Sequence, residues 1–239
     1  MYKHFFKRFF DLSLSFFAII TLSIPMLLIA IVIKCDSRGP VLFKQKRIGK
    51  NKTPFMMLKF RTMSTDAPHD APTHELANAQ KWITKLGGFL RKTSLDELPQ
   101  IFNIFIGQMS IIGPRPALCN QDDLVAERDK YGVNDIKPGL TGWAQINGRD
   151  ILATSTKRKS EYDAYYLQHL SFWLDVKIFF LTIVKVLKSD GVVEGRADKS
   201  QHHDEESSGV LADEEVAVTE SATIDILDNA ENMKNVEVV

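Results

Sequence analysis

An uncharged apolar run dominates the N-terminal part of the chain. It covers residues 16–33 (FFAIITLSIPMLLIAIVI), 18 residues without a single charge. At about 1.5 Å per residue, a helix of this length covers roughly 27 Å, which is near the minimum for crossing a bilayer. The run ends in Ile33, Lys34, Cys35 and Asp36 rather than in a small-residue cleavage site, so we expect it to stay on the protein.

Basic residues flank this run on both sides. They are Lys3, Lys7 and Arg8 before it, and Lys34, Arg38, Lys44, Lys46, Arg47 and Lys50 after it. Because basic flanks favour the cytoplasm, both ends are expected there. Pro25 removes a backbone donor and kinks a helix, and Ser23 can hydrogen-bond a freed carbonyl. We therefore predict a re-entrant, kinked helix in one leaflet; a plain span with a proline kink and a buried soluble helix are the alternatives.

Short elements around Gly- and Pro-rich loops are predicted after the anchor. Two apolar runs within residues 39–63, separated by residues 49–52, indicate a strand, a turn and a strand with a basic surface. Residues 64–80 are predicted to be a loop. Helical patterns occur at about 81–91, 98–106, 120–131 and 157–170, and residues 171–188 fit a core helix or an amphipathic interfacial one. The fold class is thus α+β and mainly helical.

The formal net charge of zero is a cancellation between regions. Residues 1–65 carry +10, residues 66–189 carry +1 and residues 190–239 carry −11. Three regions follow: an anchor over 1–36, a small cytoplasmic domain over 37–190, and an acidic tail over 191–239 that we expect to be disordered. With only Cys35 and Cys119 and no Cys/His cluster, neither a disulfide framework nor a zinc site is expected.

The densest group of reactive side chains lies in residues 91–100 (RKTSLDELPQ). Ser94 and Glu97 have the spacing of a capping box, which would give the acids a structural role. Pro99, however, disfavours helical geometry at residue 98, so a helix beginning at 98 or 99 would leave Asp96 and Glu97 in the preceding turn. There the carboxylates would face a positive helix end that also attracts phosphate.

Isolated cations elsewhere are candidates for phosphate contact. Arg115 lies on a stiff Gly-Pro-Arg-Pro turn and suits bidentate phosphate recognition, although a solvated loop explains it equally well. Lys59 and Arg61 would share one face of a strand, which is more often simply solvated. Arg149 fits a ligand-facing turn or a plain hairpin turn. Composition alone permits a metal-assisted reaction on a phosphorylated substrate or a lipid-binding scaffold.

Six motifs in order resemble the bacterial sugar transferases, the monotopic phosphoglycosyl transferases. They are KRFFDL (7–12), GPVLFKQKRIG (39–49), KFRTM (59–63), LRKTSLDELPQ (90–100), MSIIGPRP (109–116) and PGLTGWAQINGR (138–149). The resemblance covers about residues 5–190 and implies transfer of a sugar 1-phosphate from a UDP-sugar to polyprenyl (undecaprenyl) phosphate, with release of UMP. This would initiate assembly of a glycan such as O-antigen, capsule, exopolysaccharide or glycoprotein, at the cytoplasmic face of the bacterial inner membrane.

The resemblance also assigns roles to residues. It implies that Asp96 is the nucleophile and Glu97 its dyad partner, with Mg²⁺ at both. A carboxylate can form an acyl-phosphate intermediate, and Mg²⁺ screens the approach of two anions. Arg115 is the first choice for phosphate contact, followed by Lys59, Arg61 and Arg91, and then by Arg149.

The sugar and the partners are less defined. Residues 150–166 depart from the variant associated with galactose or glucose phosphate, in which a tryptophan and acidic residues follow Arg149, and this favours an N-acetylated sugar. The donor, the acceptor and membrane lipid are the implied partners, nucleic acid is not one, and a homodimer and downstream glycosyltransferases are compatible. Many members carry an additional multi-span N-terminal region, so this chain resembles the minimal catalytic form.

Two other classes of protein compete with this assignment. A non-enzymatic membrane adaptor could use the basic N-terminal half to bind anionic lipid and the tail to bind a partner, but it would need no Asp96-Glu97 pair. An aspartyl-phosphate phosphatase or ATPase would need its own Asp-centred motif after a strand, which the sequence lacks.

Overall fold

A computed structural model describes residues 2–67, 79–147 and 155–188. Its α-helices are α1 (Lys7–Asp36), α2 (Lys85–Lys92), α3 (Gln100–Ile106), α4 (Asp122–Asp129), α5 (Trp143–Asn147), α6 (Thr156–Gln168) and α7 (Phe172–Lys188). The strands are β1 (Leu42–Ile48), β2 (Pro54–Phe60), β3 (Ser110–Ile112) and β4 (Gly139–Thr141). The predicted class, mainly helical with a little sheet, is confirmed. The predicted acidic tail lies outside the described residues, as does most of the predicted loop at 64–80.

The two sheets are small, and each contains two strands. Strands β1 and β2 are antiparallel, in a register that runs from Leu42 opposite Phe60 to Ile48 opposite Pro54. This confirms the predicted strand, turn and strand; the turn includes Asn51 at a positive φ of 52°. Strands β3 and β4 are parallel.

Side-chain caps set where two of the predicted helices begin. The Thr84 side chain accepts a hydrogen bond from the Gly87 amide, so α2 begins four residues later than the apolar pattern predicted. Ser155 caps α6 in the same way, by accepting from the Arg158 amide. Such caps satisfy amides that have no partner within the helix.

Helix α1 contains the whole apolar run. It is 30 residues long, and by length and composition it could cross a membrane; it is one such helix in the described part of the chain. Its helical geometry continues through Pro25, and the Ser23 hydroxyl donates to the Ile20 carbonyl at 2.7 Å. The apolar helix is therefore confirmed, whereas its kink and its re-entrant course remain predictions.

The N-terminal end of α1 is attached to the domain by polar contacts. Arg8 donates to two carbonyls in the last turn of α3, at 2.7 and 2.8 Å. The buried Asp11 accepts from the Ser110 hydroxyl at 3.0 Å and from the Ile111 amide at 2.9 Å. Because each bond pairs a group that burial would otherwise leave unsatisfied, they fix this end of the helix to α3 and β3.

The C-terminal end of α1 packs on the same domain. Ile33 is buried in an apolar cluster with Phe60 and Leu90. Arg61, which follows β2, donates to the carbonyl of Ser37 at 2.7 Å. Both ends of the long helix are therefore attached to one body.

Asp175 on α7 joins the chain's N-terminus to its last described helices. Its carboxylate accepts hydrogen bonds from the Tyr2 hydroxyl and from Lys7, both at 2.6 Å, and from the Tyr166 hydroxyl at 2.7 Å. Helix α7, predicted to be either core or interfacial, shares features of both, since Ile178 is fully buried while Trp173 is 77% exposed.

A buried ion pair gives a test of the domain's stability. Arg128 on α4 and Asp163 on α6 are 2.6 Å apart, and their side chains are only 4% and 2% exposed. Asp163→Asn leaves a buried guanidinium without its counter-charge, so we expect a loss of about 3–5 kcal/mol in the free energy of unfolding. Urea unfolding in detergent would measure it. Lys52→Gln removes the exposed pair with Asp129 and should hardly shift the midpoint; equal midpoints for both variants would contradict the prediction.

Candidate active site

The two adjacent carboxylates lie in a 3₁₀ turn, Leu95–Glu97, between α2 and α3. Ser94 before it is left-handed, with φ 58° and ψ 15°, and its side chain makes no capping hydrogen bond. The capping-box interpretation is therefore wrong. Helix α3 begins only after Pro99, so the prediction that both acids precede the helix is confirmed.

Glu97 is held by two cations. Its Oε1 accepts from Lys59 Nζ at 2.7 Å and from Arg115 Nη2 at 3.0 Å, and its side chain is 13% exposed. Burial on its own would raise the pKa of Glu97, but the two ion pairs together outweigh burial and hold that pKa well below its usual range. Glu97 is therefore ionised and fixed in position.

Asp96 is in a different situation from its neighbour. Lys59 Nζ lies 3.8 Å from its Oδ2, too far for a hydrogen bond, and its carboxylate makes none within the part of the chain that the structure describes. Burial raises the pKa of Asp96, and the charge of Glu97 adds to this, while Lys59 opposes it. Asp96 thus has lone pairs that no donor from the described residues occupies.

The different surroundings of Asp96 and Glu97 suit the two carboxylates to different roles. Glu97 is committed to Lys59 and Arg115, whereas the Asp96 carboxylate is 11% exposed and free of hydrogen bonds within the described chain. A carboxylate without donors is a better nucleophile than a hydrogen-bonded one, because no bond must break before it attacks. The arrangement suits attack by Asp96 on an electrophile whose negative charge Lys59 and Arg115 can balance.

The loop that carries Arg115 is fixed by close backbone contacts. The Gly113 amide donates to the Thr141 carbonyl and the Gly139 amide to the Pro114 carbonyl, each at 2.8 Å. A Cβ added at Gly139 would lie 2.1 Å from the Gly113 nitrogen, so only glycine allows the two segments this close. The guanidinium is thereby held against Glu97.

The other sequence candidates lie in different places. Arg61 is not at the dyad, because its terminal nitrogens donate to backbone oxygens after α1. Arg91 donates to the Thr62 hydroxyl at 2.8 Å and acts on Asp96 only electrostatically. Arg149 lies outside the described residues. Of the five predicted phosphate-binding residues, the structure thus places Lys59 and Arg115 against the dyad.

Sequence reasoning overlooked Arg47 as a neighbour of this site. Its guanidinium donates to the Pro116 carbonyl at 3.0 Å and to Gln45 Oε1 at 2.6 Å. Burial and, to a smaller extent, the charge of Arg115 lower the pKa of Arg47 to about 9. The signal was available: in the hairpin register Arg47 shares a face with Lys59, because residues two apart point to one side.

The dyad suits a Mg²⁺ ion that takes its other ligands from substrate phosphates and water. The described residues contain no group of three or more His, Cys, Asp or Glu side chains that could hold a metal ion. Mg²⁺, however, is commonly bound by one or two carboxylates together with substrate phosphates and water. Asp96 and Glu97 therefore fit an ion that arrives with a diphosphate, rather than one enclosed by protein ligands.

Comparison with known proteins places this site in a family. Residues 2–189 match the family model described as "Bacterial sugar transferase". The chain belongs to the bacterial sugar transferase family. Membership identifies it as a transferase, and the match includes Lys59, Asp96, Glu97 and Arg115.

Individual members of this family resemble the chain at about 40% identity. An "Uncharacterized sugar transferase EpsL" of Bacillus subtilis is 41% identical over 78% of this chain and 89% of its own length. A Klebsiella pneumoniae "UDP-glucose:undecaprenyl-phosphate glucose-1-phosphate transferase" is 43% identical over 75% and 40%. An Aeromonas hydrophila "UDP-N-acetylgalactosamine-undecaprenyl-phosphate N-acetylgalactosaminephosphotransferase" is 40% identical over 78% and 45%. The chain thus spans less than half of the last two.

Proposed function

We propose that this sugar transferase moves a sugar 1-phosphate from a UDP-sugar to polyprenyl (undecaprenyl) phosphate through a covalent intermediate on Asp96. The observation that carries the proposal is the pairing of an unbonded carboxylate, Asp96, with one that two cations hold, Glu97. Relatives named as undecaprenyl-phosphate sugar-1-phosphate transferases support the donor and acceptor classes.

The reaction has two displacements. An Asp96 carboxylate oxygen attacks the phosphorus that bears the sugar; the bond to the UMP oxygen breaks, and UMP leaves with that electron pair. A phosphate oxygen of the polyprenyl phosphate then attacks the same phosphorus, which breaks the bond to Asp96 and restores its carboxylate. Lys59 and Arg115 supply positive charge throughout, since both steps bring anions together. Asp96 and Glu97 would hold the Mg²⁺, which neutralises diphosphate charge when bound.

We propose an N-acetylated sugar as the transferred group. The support is the sequence of residues 150–166, which contains no tryptophan and so departs from the variant associated with simple hexoses, in which a tryptophan and acidic residues follow Arg149. The names of the relatives include both glucose and N-acetylgalactosamine, so they leave the sugar open. The product would initiate a glycan, with downstream glycosyltransferases acting next.

An assay of UMP release would test the reaction. Purified protein in detergent, given Mg²⁺, polyprenyl phosphate and single UDP-sugars, should release UMP, fastest from UDP-N-acetylhexosamines. EDTA should stop release, and excess Mg²⁺ should restore it. If no UDP-sugar yields UMP while the protein binds anionic vesicles, the adaptor becomes the better account. Fastest release from UDP-glucose or UDP-galactose would overturn only the choice of sugar.

We further propose a monotopic arrangement in which α1 enters and leaves the bilayer on the cytoplasmic face. Two features support it: both ends of α1 are bound to one domain, and basic residues flank the apolar run. Large apolar side chains remain exposed along α1 and at the start of α7, and these would contact lipid. They include Phe9, Phe16, Phe17, Ile20, Ile24, Leu27, Leu28, Phe172 and Trp173.

Cysteine labelling would test this topology. Cys35 and Cys119 are exposed, so single-cysteine proteins retaining Cys35, retaining Cys119 or carrying Lys3→Cys report on the two ends of α1 and on the domain. We expect a membrane-impermeant maleimide to label all three in inverted vesicles and none in intact cells. Labelling of Lys3→Cys from outside would show a span instead. Pro25→Leu should straighten α1 and raise the spanning fraction.

A further inference from the structure

Three cations, Arg47, Arg115 and Lys159, lie within electrostatic range of one another, and among the described residues only Arg115 has a direct ion pair. Arg115 shares Glu97 with Lys59. Within the described ranges, Arg47 donates to neutral oxygens, those of Gln45 and Pro116. The ammonium group of Lys159 on α6 forms no hydrogen bond or ion pair with the residues that the structure describes.

The fold brings these cations together from three segments. The end of β1 is bound to the segment after Arg115, because the Ile48 amide donates to the Ala117 carbonyl at 2.9 Å and the Arg47 guanidinium reaches the Pro116 carbonyl. Lys159 lies within electrostatic range of both Arg47 and Arg115. The cluster is thus assembled by tertiary structure.

The nearest acid on α6 is already occupied. Asp163 is one helical turn after Lys159, where it could pair with that ammonium group. It is instead bound through its Oδ2 to Arg128, at 2.6 Å in a fully buried pair. Asp123 on α4 is also within electrostatic range of Lys159, but it accepts a hydrogen bond from Thr156, and Lys159 forms an ion pair with neither acid.

The pKa values of Lys159 and Arg47 are lowered, whereas Glu97 raises the pKa of Arg115. Burial, the largest cause, and the charges of Arg128, Arg115 and Arg47 together lower the pKa of Lys159 to about 8, against the opposing charge of Asp163. Arg47 is affected in the same direction by burial and Arg115. An anion bound between the cations would relieve this repulsion.

We propose that Arg47, Arg115 and Lys159 form a subsite for a phosphate monoester next to the Asp96-Glu97 dyad. This inference rests on the proposed function, in which two phosphate monoesters take part: UMP as leaving group and polyprenyl phosphate as acceptor. Phosphoryl displacement places the entering and leaving oxygens in line. UMP departs opposite Asp96, and the acceptor must attack opposite Asp96, so one subsite serves both in turn.

The Lys159→Gln variant would test the subsite, with Lys159→Arg as rescue and Lys157→Gln as matched control. Lys157 is exposed and lies two residues earlier on the same helix. We expect Lys159→Gln to raise the Kd for UMP, measured by calorimetry on the full chain in detergent, and the KM for polyprenyl phosphate, each about tenfold. Lys159→Arg should restore both values, and Lys157→Gln should change neither. Uridine, which lacks the phosphate, should bind all four proteins equally.

The pH dependence of UMP binding adds a readout that a merely structural role would not change. UMP is a dianion above about pH 6. Lys159 is protonated below its pKa of about 8 and neutral above it, so wild-type affinity should fall as the pH rises through about 8. In Lys159→Gln this alkaline fall should disappear.

The outcomes separate this proposal from the proposed function. Unchanged UMP affinity and unchanged acceptor KM in Lys159→Gln would overturn the subsite, as would an equal loss of uridine binding. An effect on one ligand alone supports a subsite for that phosphate. If the wild-type chain releases no UMP from any UDP-sugar yet binds UMP in a Lys159-dependent manner, the subsite stands and the proposed transfer fails.

Discussion

Asp96→Asn should abolish both turnover and covalent labelling by a phosphosugar. Asparagine keeps the shape of the side chain but lacks the anionic oxygen that attacks phosphorus, so we expect the rate to fall at least about a thousandfold. Intact-mass spectrometry of the wild-type chain with donor and Mg²⁺, but without acceptor, should show one added phosphosugar and a burst of UMP. The variant should show neither.

Asp135, an exposed aspartate, provides the matched control for Asp96→Asn. Asp135→Asn makes the same chemical change at an exposed position and should leave rate and labelling intact. Steady-state kinetics of the wild type should be ping-pong, because UMP leaves before the acceptor is needed. A wild-type mass that never gains a phosphosugar, together with a near-normal rate for Asp96→Asn, would favour direct transfer within a ternary complex.

Glu97→Gln should impair the enzyme severely by a different route. Removing this charge leaves Lys59 and Arg115 without their shared partner, and Lys59 is then free to form a hydrogen bond with Asp96 only 3.8 Å away. A nucleophile bound in this way is less reactive, and we expect a loss of about 10²–10³-fold in kcat. Glu161→Gln, at an exposed position on α6, is the matched control and should have little effect.

The pH dependence of activity should also change in Glu97→Gln, and the direction of the change follows from the pKa of Asp96. Asp96 must be ionised to attack, so activity falls as the pH drops through its pKa, which burial and Glu97 raise. Loss of the Glu97 charge lowers that pKa, so the acid limb of the profile should move to lower pH in Glu97→Gln. A limb that stays in place while the Mg²⁺ requirement rises would assign Glu97 to the metal instead of to electrostatic control of Asp96.

Local patterns were enough to predict the turn that carries the dyad and the hairpin before it. The position of Pro99 predicted the start of α3, and alternation predicted β1 and β2. The expected non-helical geometry before the proline was wrong, because Leu98 has φ −52° and ψ −39°. The capping-box interpretation was wrong because Ser94, which follows α2, takes a left-handed conformation and its side chain makes no capping hydrogen bond. Three-residue spacing could not reveal that.

Contacts between distant segments could not be predicted in the same way. The prediction that Lys59 and Arg61 share one strand face was wrong, because Arg61 lies beyond the end of β2 and its guanidinium donates to the backbone after α1. Arg47 joins Arg115 because β1 is bound to the segment after Arg115, and Lys159 on α6 comes within electrostatic range of both. No spacing rule relates positions 47, 115 and 159.

The hydrogen bonds at Asp175 have a consequence for how the protein is made. Tyr2 and Lys7 bind a carboxylate that lies 173 and 168 residues further along the chain. At about 5–20 residues per second, a ribosome needs on the order of ten seconds to half a minute to supply that partner. The proposed membrane anchor is therefore synthesised well before Asp175, so its insertion into lipid would precede completion of the domain. Tyr2 and Lys7 gain their carboxylate partner only when α7, the last described element, leaves the ribosome.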